Sequence, residues 1–157
     1  MVALTVPGMR LLHEGQIERR CVKIPVQLGR RRAEPSDPLI QAHYERLLGA
    51  LSDPLLYEGA WQLLDPQPAG ISELHRGFIA HHWSSRDARR LVIVNWSAHQ
   101  AKCFLPLDVP ALAGTSWQLR DLLAAAEYQR RGDELLNPGL YLDMPAYSYH
   151  LFDVRRA

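Results

Sequence analysis

The chain has 157 residues, 47% of them hydrophobic, and a formal net charge of +1. That length suits one ordinary domain, or a small domain with a further segment, and the apolar share is enough for a real core. The near-zero charge gives no electrostatic basis for nucleic-acid or anionic-membrane partners, and no apolar run approaches the ~18 residues of a membrane span.

Met1 to Val6 is a short apolar segment ended by Pro7-Gly8, and it suits the last turn of a helix. It is too short for a signal peptide and lacks a basic leader region. Met9 to Leu12 is a brief apolar run closed soon after by Gly15. Such a run suits a central parallel strand buried on both faces. A strand of that kind needs parallel neighbours, and no other segment supplies them, which suggests a truncated α/β pattern.

Gln16 to Ser36 is a long connection. Within it Val22, Ile24, Val26 and Leu28 alternate with Lys23, Pro25 and Gln27, so part of it is expected to lie extended on a surface. Arg30-Arg31-Arg32 is followed by Glu34 and reads as a solvated loop. Ser36-Asp37-Pro38 is a helix start, either polar residue serving as cap and Pro38 as the first helical residue. Ile40, Tyr44, Leu47, Leu48 and Leu51 follow at helical spacing, with Gln41, Glu45 and Arg46 facing out. Ser52-Asp53-Pro54 ends this helix and marks a domain boundary, dividing 1–53 from 54–157.

Beyond Leu55 the pattern changes. Runs rich in Trp, Tyr, Phe, Val and Leu are separated by turn residues at roughly ten-residue spacing, as in an antiparallel sandwich. The expected strands are Leu55–Tyr57, Trp61–Leu64, Phe78–Trp83, Leu91–Trp96, Lys102–Leu107, Trp117–Leu119, Tyr128–Arg130, Gly139–Leu142 and Ser148–Val154. Ser84-Ser85-Arg86-Asp87 joins a hairpin, while Arg131-Gly132-Asp133 and Asn137-Pro138-Gly139 are turns. Leu122 to Ala126 suits a short helical turn. Leu91-Val92-Ile93-Val94 is apolar on both faces and should be the most central strand.

Few residues point to chemistry. His81-His82 would face opposite sides of a strand, so the pair does not suggest a shared metal. No nucleophile elbow, phosphate loop or dinucleotide fingerprint is present. Glu14 alone sits where a barrel enzyme places its active site, and one carboxylate is not enough for glycoside chemistry. The aromatics, among them Trp61, Trp83, Trp96, Trp117, Tyr128, Tyr141, Tyr147 and Tyr149, read mainly as core. A sugar-stacking platform would need several exposed on one face. Asn95-Trp96-Ser97 matches a glycosylation acceptor and reads as coincidence. Cys21 and Cys103 read as reduced, partly buried thiols, in keeping with a cytoplasmic protein.

The segment Pro7-Gly8-Met9, Leu12 and Gly15-Gln16 resembles the eighth barrel strand of the alpha-amylase family of glycoside hydrolases (family 13). In that family this strand is followed by the last barrel helix and an antiparallel C-terminal sandwich, the same order as here. The end of the chain, Tyr141 to Phe152, is similar to the last strands of that sandwich. Arg10 stands where the family usually has Pro, His13 where Tyr is common and Ile17 where Glu is common, which places the chain in a divergent branch. The resemblance implies a mainly β chain: an antiparallel β-sandwich of Greek-key type, preceded by a strand-loop-helix remnant of a (β/α)8 barrel. It also implies that the catalytic carboxylates of a complete enzyme precede Met1, so that no residue here is catalytic; no metal or cofactor is expected. His13, Glu14 and Gln16 are then candidates for the substrate rim. The expected partners are the missing barrel portion and, in the complete enzyme, an α-glucan or small α-glucoside. Alternatives are a free-standing carbohydrate-binding sandwich, or an interaction module docking through Met1 to Leu12 and helix 38–51.

Overall fold

The computed structural model describes residues 1–23, 27, 29–30, 32–71, 73–86, 88–107 and 109–157. The fold is mainly β, with antiparallel sheets, as the strand spacing suggested. It has three layers. An N-terminal layer holds a 3-10 turn (Val2–Leu4), helix α1 (Pro38–Leu51) and a short helix α2 (Leu55–Glu58). A six-stranded sheet follows, in the order β1-β3-β4-β9-β6-β7. Its strands are β1 (Ala60–Leu64), β3 (Phe78–Ser84), β4 (Arg89–Asn95), β6 (Ser116–Asp121), β7 (Glu127–Arg131) and β9 (Tyr149–Arg156). The third layer is a three-stranded sheet of β2 (Gln67–Pro68), β5 (Ala101–Leu105) and β8 (Leu140–Met144), in the order β2-β5-β8.

The period of the strands explains the layering. Successive side chains leave a strand on opposite faces. On β4, Leu91 and Ile93 enter the core between the two sheets, joined there by Cys103, Leu105, Leu142 and Phe152. Val92 and Val94 leave the other face and meet Leu4, Leu47, Leu51, Leu56 and Leu151 in a second core beneath the helices. A strand buried on both faces must be apolar throughout, and β4 is indeed central in its sheet. The expected boundary at 53/54 falls between α1 and α2, and the second core draws residues from both sides of it.

Helix α1 begins where the capping pattern placed it. The Asp37 carboxylate accepts from the backbone N–H of Leu39 and Ile40 at 3.0 and 3.3 Å. Its inward face is narrower than the spacing suggested: Leu47 and Leu51 are buried, whereas Leu48 is exposed.

Four local expectations are corrected. Leu55–Tyr57 is not a strand but the start of α2, because Asp53 accepts from Leu55 N–H at 3.0 Å and Pro54 is already helical at φ −53°. Arg131-Gly132-Asp133 does not turn freely but opens a third helix, α3 (Gly132–Leu136). Gly132 is needed there, since an added Cβ would lie 1.6 Å from the Leu112 carbonyl oxygen. Leu122 to Ala126 forms a bend closed by an Asp121 N–H to Ala126 C=O bond of 2.8 Å, not a helical turn. Met9 to Leu12 forms no strand: Met9 and Leu11 are 90% and 76% exposed, and no parallel partner lies beside them among the described residues. The physical reason is that an extended segment without neighbours has no ladder to join.

The expected surface alternation at Ile24, Val26 and Leu28 lies outside the described residues, as do Arg31 of the basic cluster and Asp87 of the hairpin turn. The strands on either side of that turn, β3 and β4, pair antiparallel from Phe78↔Asn95 to Ser84↔Arg89.

Candidate functional site

The three rim candidates share one loop. Gly15 is buried with φ +82°, a conformation that side chains resist, and it lets residues 14–19 coil tightly. Gln16 N–H donates to the His13 carbonyl at 3.0 Å, and His13 N–H donates to the Gln16 side-chain oxygen at 3.1 Å. Gln16 Nε2 then donates to the Tyr44 hydroxyl on α1 at 2.6 Å. His13 Nδ1 lies 2.9 Å from the Glu14 carbonyl, and all three side chains are exposed. The loop is thus a surface feature tied to α1. It presents one imidazole, one carboxamide and one carboxylate.

A second set of bonds ties the same region down. Arg19 pairs with Asp37 at 2.8 Å, and this guanidinium, with the capping N–H groups, holds the Asp37 carboxyl below its usual range. The Glu34 carboxylate accepts from Cys21 and Val22 N–H at 2.7 and 3.3 Å. Cys21 is therefore on the surface rather than partly buried, and Cys103 is fully buried with its thiol pushed up to about 12 by desolvation.

Beneath the loop the N-terminal turn is pinned to the sheet. The Thr5 carbonyl accepts from Trp83 Nε1–H at 2.6 Å and sits 3.2 Å from His81 Nε2. A carbonyl only accepts, so His81 carries its proton on Nε2. His82 points to the opposite face, toward the sandwich core. Burial lowers both imidazoles to about 4. The Tyr149 hydroxyl is hydrogen-bonded to His43 Nδ1 of α1 at 2.8 Å. Arg90 joins the layers: it pairs with Asp53 at 2.6 Å and Asp153 at 2.5 Å.

None of these groups forms a nucleophile with an adjacent base, or two carboxylates facing each other across a gap. Among the described residues no set of three His, Cys, Asp or Glu side chains is grouped to hold a metal ion.

Two features escaped the sequence reading. Asp121, buried, accepts from His150 Nδ1 at 2.7 Å beside a cleft of about 120 Å³ at the open side of the sandwich. His150 is stacked on Phe152 there. The other feature is Asn95, fully buried, whose amide donates to the carbonyls of His99, Met144 and Pro145 at 2.8–3.0 Å. Its oxygen accepts from Ser97 N–H and Oγ–H. This hub holds two loops whose tips carry Trp96 and Tyr147, 67% and 64% exposed. With its amide so engaged, Asn95 is not an accessible glycosylation acceptor, and the sequon is coincidental.

No protein-family model and no curated protein matches the chain. Solved structures do. The chain is similar to an Anoxybacillus alpha-amylase, described as a new glycosyl hydrolase subclass, with a TM-score of 0.56 and 15% identity; the match covers 78% of this chain and 24% of that enzyme. It is also similar to the trehalose-6-phosphate hydrolase of Bacillus licheniformis, with a TM-score of 0.51 and 19% identity, over 74% of this chain and 18% of that enzyme. The structural neighbours are alpha-amylase family enzymes, and at these identities the likeness establishes the fold. The chain spans about a quarter or less of their length.

Proposed function

We propose that this chain is the C-terminal part of an alpha-amylase-like enzyme acting on α-glucosidic bonds. Its sandwich would pack on a catalytic barrel and stabilise it, and the chain by itself would be inactive. The observation that carries this reading is the likeness over most of the chain to a quarter of an alpha-amylase. The site chemistry is in keeping with it. Retaining glycosidases need two carboxyl groups about 5–5.5 Å apart, and the exposed loop 13–16 offers only Glu14. In the assembled enzyme, His13, Glu14 and Gln16 would lie at the rim of the sugar site, oriented by the Gln16–Tyr44 bond. Incubation of the purified chain with starch, maltooligosaccharides and sucrose tests the reading. No product is expected, and measurable turnover would overturn the assignment of inactivity.

A second reading is favoured by the Asn95 hub: a carbohydrate-binding module that stacks a sugar on Trp96 and Tyr147. Tyr147 holds φ +54°, a conformation that costs about 1–3 kcal/mol and concentrates at functional sites. Affinity electrophoresis in an α-glucan gel is expected to retard the chain under this reading, and to lose that retardation in Trp96→Ala. Unretarded migration would remove it.

A further inference from the structure

The two edges of the six-stranded sheet are built differently. The β7 edge, Glu127-Tyr128-Gln129-Arg130-Arg131, carries three charges in five residues. Charges on an edge strand discourage pairing with another chain. The β1 edge, Ala60-Trp61-Gln62-Leu63-Leu64, carries none. It pairs with β3 on one side, and among the described residues no strand lies on the other. Four of its five residues are exposed, including Trp61 at 36% and Leu63 at 60%.

The apolar surface continues beside it. Tyr57 on α2, three residues from β1, is 53% exposed. Arg10 donates to the Leu56 carbonyl and lies 6.0 Å over the Tyr57 ring. An uncharged strand with unpaired backbone groups, flanked by exposed apolar side chains, is a template for strand addition.

We propose that β1 pairs antiparallel with β1 of a second copy of this chain, about a two-fold axis through Gln62. The strand is self-complementary in that register. Gln62 meets Gln62 of the copy, and Trp61 meets Leu63 twice. In an antiparallel pair, opposed residues share a face, so both Trp–Leu pairs form on the face toward the N-terminal layer. No like charges meet, because the strand has none. A contact related by a two-fold uses the same patch on both copies and closes on itself, giving a dimer rather than a fibre. The pairing rests on β1 alone and is independent of the catalytic reading above.

The test is the mass in solution of the 157-residue chain by light scattering, with site-directed cross-linking in a Cys21→Ser background. A dimer is expected at high concentration, and Leu63→Lys is expected to shift it to monomer by placing a charge within each Trp–Leu pair. Opposed antiparallel residues lie about 4.5–5.5 Å apart at Cα, within disulfide reach. Gln62→Cys treated with oxidised glutathione should therefore form a covalent dimer on the order of tenfold faster than Gln129→Cys on the other edge. A monomer at every concentration overturns the proposal. So does a dimer that Leu63→Lys leaves intact, or one that cross-links equally well from both edges.

Discussion

Single buried polar residues account for much of how this chain is held in shape. Asn95 donates to three carbonyls where two loops meet, those of His99 and Pro145 also accepting from the Ser97 and Ser148 hydroxyls. Asn95→Ala should destabilise the chain by about 1–3 kcal/mol, since it removes the buried amide whose hydrogen bonds tie the two loops together. A denaturant midpoint equal to that of the wild type would contradict the hub. His81 and His82 give a pH signature. Burial holds both near 4 in the folded chain against an ordinary 6.5. Between those values the unfolded chain binds more protons, so stability rises with pH across that window and is level above it. Acidification from pH 6.5 to 4 should cost on the order of 2–3 kcal/mol for each histidine. Urea unfolding at pH 7.5 and 4.5 measures this, and a flat profile would show the imidazoles to be solvated. At this scale the sequence was half legible. Strand alternation placed His81 and His82 on opposite faces. It gave no sign that His81 and Trp83 share the Thr5 carbonyl, because that partner is 76 and 78 residues away.

Among the elements, the strands that formed as expected carry their own evidence. The all-apolar run of β4 implies burial on both faces, and Asp37-Pro38 fixes the start of α1 through local capping alone. Elements failed where an apolar run was too short to show a period. Leu55-Leu56-Tyr57 suits either a strand or a helix, and the Asp53 carboxylate on Leu55 N–H with helical Pro54 decided for helix. Met9 to Leu12 resembles a buried strand, yet a strand exists only with neighbours, and here the segment joins no sheet, with Met9 and Leu11 in solvent. The joint between layers was also hidden, because Arg90, Asp53 and Asp153 come from three distant segments. Arg90→Ala should cost about 3 kcal/mol, because the Asp153 carboxylate, 5% exposed, loses its buried partner and keeps Arg155, whose own side chain is 64% exposed. The loss should appear as earlier hydrogen exchange in α1 and α2 than in β4. Equal protection in both layers would mean that the clamp does not join them.

For the molecule as a whole, layout was more legible than purpose. The order of loop, helix and sandwich was visible in residues 13–157, and likeness to parts of larger enzymes supports it. The rim assignment of His13, Glu14 and Gln16 rests on position, since a rim is defined only by the site it surrounds. The proposed role is that of one part of an alpha-amylase-like enzyme. The most direct measurement is the size and peptide content of the native protein, isolated from cells with an antibody raised against the sandwich. A polypeptide or complex several times larger than 17.9 kDa, yielding peptides of a catalytic barrel, is expected. A free 17.9 kDa chain with no barrel attached would contradict it.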